Sequence, residues 1–246
     1  MGATRLDARL VSDGLVATRA RARDLILRGF VHIDGTVCDK PSRSVAATVS
    51  VALSNSAPVF VSRGAEKLIA ALDHFGFDAT DCVVLDAGAS TGGFTQVLLQ
   101  RGANRVYAVD VGQSQLHDSL RNDARVVSLE KLDARALSNE VISEPVDAMV
   151  ADVSFIALSK VLPNIMSLAH ETAWLAALIK PQFELEPDSI GKGGIVRDAA
   201  ARQAAVERVK KTVEAQRGWR VLGVIPSPIL GGSGNEEFLI GARRDA

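Results

Sequence analysis

Three ionisable side chains stand at the ends of apolar runs, where they could act together on a bound molecule. Asp152 and Lys180 each follow a run that is typical of a buried strand, and Glu237 precedes the last such run. In a mainly parallel sheet the carboxyl ends of the strands meet at one edge and form the ligand crevice. If the last strand is antiparallel, its beginning lies at that edge too, and the three groups converge as a set suited to acid–base chemistry. Taken singly, a residue of this kind is more often a surface charge or half of an ion pair, so the prediction depends on the placement of all three at one edge.

A glycine-rich stretch, Asp86–Thr95, predicts a ligand-binding turn. It follows a β-branched apolar run at 82–85 and precedes a segment typical of a helix at 94–99. A strand, a glycine turn and a helix in this order bring backbone N–H groups and a helix N-terminus onto a ligand. Glycine also permits positive φ and close approach. The alternative is a tight strand-to-helix turn that binds nothing.

Asp110 ends the next predicted strand and lies near the expected ~20 residues beyond Gly88. An acid at this point of a nucleotide-binding sheet accepts hydrogen bonds from ribose hydroxyls. Because the turn matches neither the dinucleotide nor the P-loop pattern, a nucleoside without pyrophosphate fits better, and S-adenosylmethionine is the expected cofactor. The predicted cofactor-binding residues are Asp86, Gly88, Ala89, Ser90, Thr91, Gly92, Gly93, Phe94, Asp110, Val111, Asp133 and Asp152.

Alternating strands and helices must position these groups. Strands are predicted at 82–87, 105–110, 125–129, 146–151, 173–179, 219–225 and 237–242, and helices at 93–101, 115–121, 157–169 and 199–217. This alternation predicts a mainly parallel α/β sheet of about seven strands, covered on both faces. The last two strands are joined without a helix, so the last one is expected to be antiparallel. A glycine-rich loop at 189–194 is either a mobile flap or a plain surface loop.

The first 45 residues carry a net charge of +3, while the remainder carries −4. Two short helices, at 5–12 and 18–28, precede a strand at 30–33. Thr18 is the expected N-cap of the second helix, and Gly29 is the expected residue after its C-terminus. Four arginines crowd onto the second helix, which forms either a solvated basic face or a phosphate-contacting surface.

Composition excludes several other classes of protein. The net charge of the whole chain is −1, the two cysteines form no disulfide framework, and the four histidines show no metal-ligand spacing. The longest apolar run, 173–179, is far below the ~18 residues of a membrane span. We therefore expect a cytoplasmic protein without a signal peptide, membrane span or metal. The sequence leaves the oligomeric state open.

The N-terminal segment resembles the small RNA-binding module named for ribosomal protein S-four. The resemblance rests on Arg5-Leu6-Asp7, Gly14-Leu15, Thr18-Arg19, Leu25-Ile26, Val31-His32-Ile33-Asp34-Gly35 and Lys40-Pro41. It implies an RNA-binding domain at 1–55, a linker at 56–61 and a second domain at 62–246. The RNA-binding residues expected on this basis are Arg5, Arg19, Arg21, Arg23, Arg28, Lys40 and Arg63.

Nearly the whole chain resembles the TlyA family, whose members are S-adenosylmethionine-dependent ribosomal RNA 2′-O-ribose methyltransferases and are also known as haemolysins. The matching motifs are Ser62–Lys67, Asp86–Thr95, Asp110–Gly112, Asp152–Ile156, Lys180–Glu184 and Ser227–Phe238. The resemblance implies a Rossmann-like, FtsJ-type methyltransferase fold, with ribosomal RNA or ribosomal subunits as partners. It also implies a catalytic tetrad of Lys67, Asp152, Lys180 and Glu237, in which Lys180 acts as a general base or only positions the hydroxyl. Two segments beside the nucleoside pocket, Gln113-Ser114 and Glu130–Arg135, depart from the family pattern.

Two other functions remain open at this stage. The haemolysin name suggests a membrane-lytic protein, although the sequence offers no apolar span. A non-catalytic RNA-binding factor for ribosome assembly would keep the fold and bind the cofactor without turnover.

Overall fold

The computed structural model describes residues 3–16 and 18–245. Residues 1–2, at the start of the first predicted domain, Ala17 and Ala246, at the end of the second, lie outside this part. The chain divides into two compact units, Met1–Arg63 and Gly64–Ala246. The division falls after the predicted linker at 56–61, which therefore belongs to the first unit, where Ala57 packs against the core.

The first unit is a small α+β fold. Its elements are β1 (Thr4–Arg5), α1 (Leu6–Ser12), α2 (Arg19–Leu27), β2 (Val31–Ile33), β3 (Thr36–Val37), β4 (Ser44–Val45) and β5 (Val51–Leu53). The Thr18 hydroxyl accepts a hydrogen bond from Arg21 N, and Gly29 has a φ of +76°, so the predicted cap and helix end are confirmed. A turn at Asp34-Gly35, both with positive φ, joins β2 to β3.

The second unit is a seven-stranded sheet between helices. In chain order its elements are α3 (Gly64–Phe75), β6 (Val83–Ala87), α4 (Gly93–Gln100), β7 (Arg105–Asp110), α5 (Asp118–Arg121), β8 (Val126–Glu130), β9 (Val146–Ala151), α6 (Leu158–Met166), β10 (Ala169–Ile179), α7 (Pro181–Glu184), α8 (Ala199–Glu214), β11 (Trp219–Pro226) and β12 (Phe238–Arg244). Helices α3 and α4 pack together on one side, and α6 and α8 pack together on the other. Buried side chains of the sheet, α6 and α8 form the main core.

The strand order is β11-β12-β10-β9-β6-β7-β8. Strands β6 to β10 pair in parallel, while β12 is antiparallel to both β10 and β11, so the predicted sheet is confirmed. Four predicted bounds differ by three residues or more. Helix α5 begins only at Asp118, α6 ends at Met166, α8 ends at Glu214, and β10 begins at Ala169, with an irregularity in its pairing before Trp174.

Candidate active site

A cleft of about 870 Å³ lies beside the carboxyl ends of β6, β7 and β9. Six of the predicted cofactor-binding residues line it: Gly88, Ser90, Asp110, Val111, Asp133 and Asp152. Asp133 is also hydrogen-bonded to the Arg135 guanidinium, which lowers the pKa of its carboxyl. The sheet edge that was expected to hold a ligand therefore carries a cavity of suitable size.

Gly88 is required because two strand ends approach each other closely. Its φ is +86°, and a Cβ atom built on it would lie 2.7 Å from the backbone oxygen of Asp152. Its amide donates to Val109 O at 2.8 Å. A side chain at this position would clash with the backbone of Asp152 and push the glycine-rich turn away from the loop at 152–157.

Asp110 orders the turn as well as lining the cleft. Its Oδ2 accepts a hydrogen bond from Ser90 N at 2.9 Å, and its Oδ1 accepts one from Gly112 N at 2.7 Å. One carboxylate thus holds the loops that follow both β6 and β7. The sequence predicted a ribose contact for this residue and gave no sign of these two amide bonds.

The other predicted cofactor-binding residues lie beneath the cleft wall or beside it. Phe94 is buried in the core, and a Cβ atom on Gly92 would lie 2.3 Å from Leu120 Cδ1, so this glycine makes room for α5. Ala89 and Gly93 are buried, and Thr91 is half-buried. The glycine-rich sequence therefore reflects packing of the turn as much as access of a ligand.

Asp86 lies under the turn and is completely buried. Its Oδ2 accepts a hydrogen bond from the Thr95 hydroxyl at 2.6 Å, whereas its Oδ1 has no hydrogen-bond partner among residues 3–16 and 18–245. Burial raises the pKa of Asp86 to about 7, against the effect of the Thr95 hydrogen bond, and the charges of Asp152 and Asp110 add to the rise.

The four predicted tetrad residues form two ion pairs. Lys67 Nζ, on α3, lies 2.6 Å from Glu237 Oε2, and both side chains are almost fully buried. Gly231 packs directly on the Glu237 carboxylate, because a Cβ atom there would lie 2.3 Å from its Oε1. The neighbouring Glu236 is exposed and pairs with Arg202, which agrees with the choice of Glu237 over Glu236.

Lys180 forms the second pair with Asp152. Its Nζ lies 2.6 Å from Asp152 Oδ1, at ion-pair distance but without hydrogen-bond alignment, and it donates an aligned hydrogen bond of 2.7 Å to Ser154 Oγ. The backbone of β10 brings this lysine beside Glu237, since Ile179 pairs with Phe238 across the two antiparallel strands. Topology thus gathers both ion pairs at one edge of the sheet.

Sequence reasoning missed residues that support this edge. Ser154, three residues beyond β9, accepts a hydrogen bond from Lys180, but the sequence placed it only within the Asp152–Ile156 motif and predicted no role for it. Glu184 is 2% exposed, and its carboxylate accepts hydrogen bonds from Leu158 N, Ser159 N and the Ser159 hydroxyl at the start of α6. Asn235 accepts from Val196 N and donates to Gly194 O, which ties the glycine-rich loop to the start of β12.

Most predicted RNA-binding arginines have partners within the first unit. Arg5 and Arg19 each lie 3.0 Å from Oδ2 of Asp7, a fully buried carboxylate whose pKa is lowered to about 2, chiefly by the Arg5 hydrogen bond. Arg21 and Arg28 contact Asp24 at 3.0 and 3.7 Å.

Arg23 and Lys40 differ from those four residues. Both side chains are exposed and make no ion pair within the described part of the chain. Arg63 is half-buried at the end of the first unit. The accessible cations that remain for a phosphate backbone are therefore led by Arg23 and Lys40.

The described residues offer neither a metal site nor a membrane span. Among the residues that the structure describes, no group of His, Cys, Asp or Glu side chains could hold a metal ion. None of the helices in the same part of the chain is long and apolar enough to cross a membrane. Cys38 and Cys82 are free thiols.

A glycine turn after β6, an acid at the end of β7 and an antiparallel β12 give the second unit the architecture of the Rossmann-like methyltransferase class. The chain belongs to the FtsJ-like methyltransferase family, whose model matches residues 60–244, and an S4 domain model matches residues 4–48. Both predicted resemblances are thereby confirmed.

Similar proteins cover nearly the whole chain. The 16S/23S rRNA (cytidine-2′-O)-methyltransferase TlyA of Mycobacterium tuberculosis is 46% identical over 97% of this chain and 89% of its own length. Hemolysin A of Brachyspira hyodysenteriae is 38% identical over 96% of this chain and 98% of its own length. A solved structure of a candidate hemolysin from Streptococcus thermophilus has a TM-score of 0.78 and 37% identity, covering 100% of this chain and 90% of that one.

Proposed function

We propose that this chain transfers a methyl group from S-adenosylmethionine to the 2′-hydroxyl of a cytidine ribose in ribosomal RNA. The observation that carries the proposal is the Lys180–Asp152 ion pair, of which Asp152 lines the 870 Å³ cleft. The family and the name of the relative from M. tuberculosis support the same reaction. Such an enzyme would work in the cytoplasm, where its substrate is made.

The cleft fits a cationic nucleoside cofactor. Asp110, Asp133 and Asp152 place three carboxyl groups on its wall, and Asp110 is fixed by two backbone amides in the position of a ribose-binding acid. S-adenosylmethionine supplies an activated methyl group on a positively charged sulfur, so no acid catalyst is needed at the donor. We assign cofactor binding to the loops after β6, β7 and β8. The buried Asp86 would support this site from beneath the glycine-rich turn.

The chemistry then depends on the acceptor hydroxyl. A ribose hydroxyl is a poor nucleophile at neutral pH, and a positioned base raises its reactivity. Lys180 is the group placed to hold this hydroxyl and to receive its proton as the new O–C bond forms, and Asp152 orients Lys180. The Lys67–Glu237 pair is too deeply buried to contact RNA directly. We therefore assign it a structural role at the edge of the sheet that carries Lys180.

An exposed aromatic side chain gives the target nucleotide a place to bind. Phe155 is 92% exposed at the cleft, has a φ of +63°, and its ring centroid lies 5.3 Å from that of Phe183. A bulky residue at positive φ is uncommon and is retained where the fold requires it. We propose that a base displaced from the RNA stacks on Phe155 while its ribose faces Lys180.

The first unit would supply affinity for ribosomal RNA, and Arg23 and Lys40 are two exposed cations that make no ion pair within its described residues. Phosphate contacts of this kind position a protein on RNA without reading its sequence. The proposal therefore keeps residues 1–55 as the RNA-binding domain and 62–246 as the catalytic domain.

Replacing Lys180 tests the proposal. Single-turnover methyl transfer from labelled cofactor to both ribosomal subunits, isolated from a strain that lacks this gene, should fall at least ~10²-fold in Lys180→Ala. Cofactor affinity, measured by calorimetry, should stay close to wild type. Lys210→Ala, which removes a half-buried lysine paired with Glu207 on α8, is the matched control and should retain full activity.

Two results would contradict the assignment. A Lys180→Ala rate within a few-fold of wild type would remove this lysine from the reaction. Cofactor binding by the wild type without any methyl transfer would favour the non-catalytic assembly factor.

A further inference from the structure

Lys180 has a second partner that the proposed reaction does not explain. Ser154 Oγ accepts the aligned hydrogen bond from Lys180 Nζ at 2.7 Å, while Asp152 Oδ1 lies at 2.6 Å on a poorly aligned path. The hydroxyl of Ser154, rather than the carboxylate, therefore receives the directional bond that fixes the end of the lysine side chain.

The fold holds Ser154 in place although its side chain is exposed. At one end of its loop, Asp152 N donates to Ala87 O at 3.0 Å, which joins the loop to β6. At the other end, the buried Glu184 carboxylate binds the first amides of α6. Because both ends are anchored, the serine hydroxyl is presented to Lys180 by a loop of fixed conformation.

The contact with Ser154 affects which part of the Lys180 amine is available to a substrate. A protonated lysine has three N–H donors and no acceptor. After loss of one proton it has two N–H donors and one lone pair. Ser154 Oγ occupies one of these donors, and the Asp152 carboxylate, whose Oδ1 lies 2.6 Å from Nζ, attracts the side of the amine that carries the other. The lone pair is then left for the proton of a substrate hydroxyl.

We propose that Ser154 is a positioning residue that directs the Lys180 amine toward the ribose 2′-hydroxyl. This inference rests on the proposed function, because it assigns Ser154 a part in the same reaction. Rates of this kind of reaction depend steeply on the orientation of the reacting groups. Ser154 touches neither the methyl group nor the proton in this scheme and acts through Lys180 alone.

The test compares Ser154→Ala, which removes the hydroxyl, with Ser154→Thr, which keeps it. The single-turnover rate of Ser154→Ala should fall on the order of ten-fold, as expected when one hydrogen bond to a charged group is lost. The dissociation constants for cofactor and for ribosomal subunits should stay within two-fold of wild type. Ser154→Thr should recover most of the rate, and Ser167→Ala, at an exposed serine after α6, should change nothing.

Each other outcome overturns the inference. A Ser154→Ala rate within two-fold of wild type means that the hydroxyl is not needed. Failure of Ser154→Thr to recover the rate, with binding intact, means that the hydroxyl is not the determinant. A loss that appears only as weaker binding of cofactor or RNA means that Ser154 contacts a ligand directly.

A structural measurement separates this inference from the proposed function. In crystal structures, Lys180 Nζ should occupy one position in the wild type and leave it, or lose definition, in Ser154→Ala. An unchanged Nζ position would overturn the positioning role even if the enzyme methylates RNA. If the wild type does not methylate ribosomal RNA but Nζ moves, the proposed function fails and the structural role of Ser154 stands.

Discussion

At the scale of single residues, Asp86 is the group with the most unusual environment. It is fully buried, the Thr95 hydroxyl donates to its Oδ2, its Oδ1 has no hydrogen-bond partner within residues 3–16 and 18–245, and Asp152 and Asp110 contribute further negative charge. Burial thereby raises its pKa from 3.8 to about 7. Between these values the folded chain binds a proton that the unfolded chain has lost, so stability falls as the pH rises through this range.

Asp86→Asn should remove this pH dependence. The variant should gain stability relative to wild type as the pH rises from about 5 to about 8, because only the wild type must bury a charge there. Urea unfolding followed by the fluorescence of Trp174 and Trp219 reports on the second unit, which contains both tryptophans. Asp188→Asn, at an exposed position, is the control and should follow the wild type. A stability difference that is constant across this pH range would argue against a buried neutral acid.

At the scale of secondary-structure elements, the start of α6 depends on a side chain from another helix. Its N-cap residue, Ala157, makes no side-chain capping bond, and the Glu184 carboxylate from α7 takes over that role. A negative group at a helix N-terminus is favourable and satisfies amides that have no partner within the helix. The same contact fixes the end of the loop that carries Ser154 and Phe155.

Glu184→Gln should destabilise the second unit by about 1–3 kcal/mol, the cost of weakening buried hydrogen bonds to a charged acceptor. Urea unfolding with the same tryptophan signal measures the effect. Glu186→Gln, two residues further along on an exposed side chain, should be neutral. Equal stability of the two variants would show that Glu184 is not needed as a cap.

At the scale of the whole molecule, the two compact units divide the proposed work. A chain consisting of residues 64–246 should bind S-adenosylmethionine about as well as the full chain but methylate ribosomal subunits far more slowly, because it lacks the cations of the first unit. Calorimetry and single-turnover assays measure the two properties. Undiminished activity of the shortened chain on ribosomal subunits would refute this division.

Full-length Arg23→Ala and Lys40→Ala serve as the matched comparison. Each should lower the slope of log affinity against log salt by roughly one unit, the effect of one lost phosphate contact. Arg19→Ala should differ from them, because it also removes a partner of the buried Asp7.

The sequence by itself determined the strands, the glycine turn and the edge of the sheet where the charged groups meet. The predicted strands at 105–110 and 146–151 agree with β7 and β9 residue for residue. These features follow from the spacing of apolar residues, from β-branched residues and from turn residues. All three are local signals, because they depend on residues that are close together in the chain. The order of Asp152, Lys180 and Glu237 relative to those strands was enough to predict convergence.

The tertiary structure alone decided which partner each charged group has. Lys67 meets Glu237 across 170 positions, and Lys180 meets Ser154 across 26. Such pairs are set by strand order, by register and by the packing of α3 on β10 and β12, none of which a local pattern encodes. For the same reason the sequence predicted cofactor binding for both Asp86 and Asp110. In the structure Asp86 is buried beneath the turn, whereas Asp110 lines the cleft.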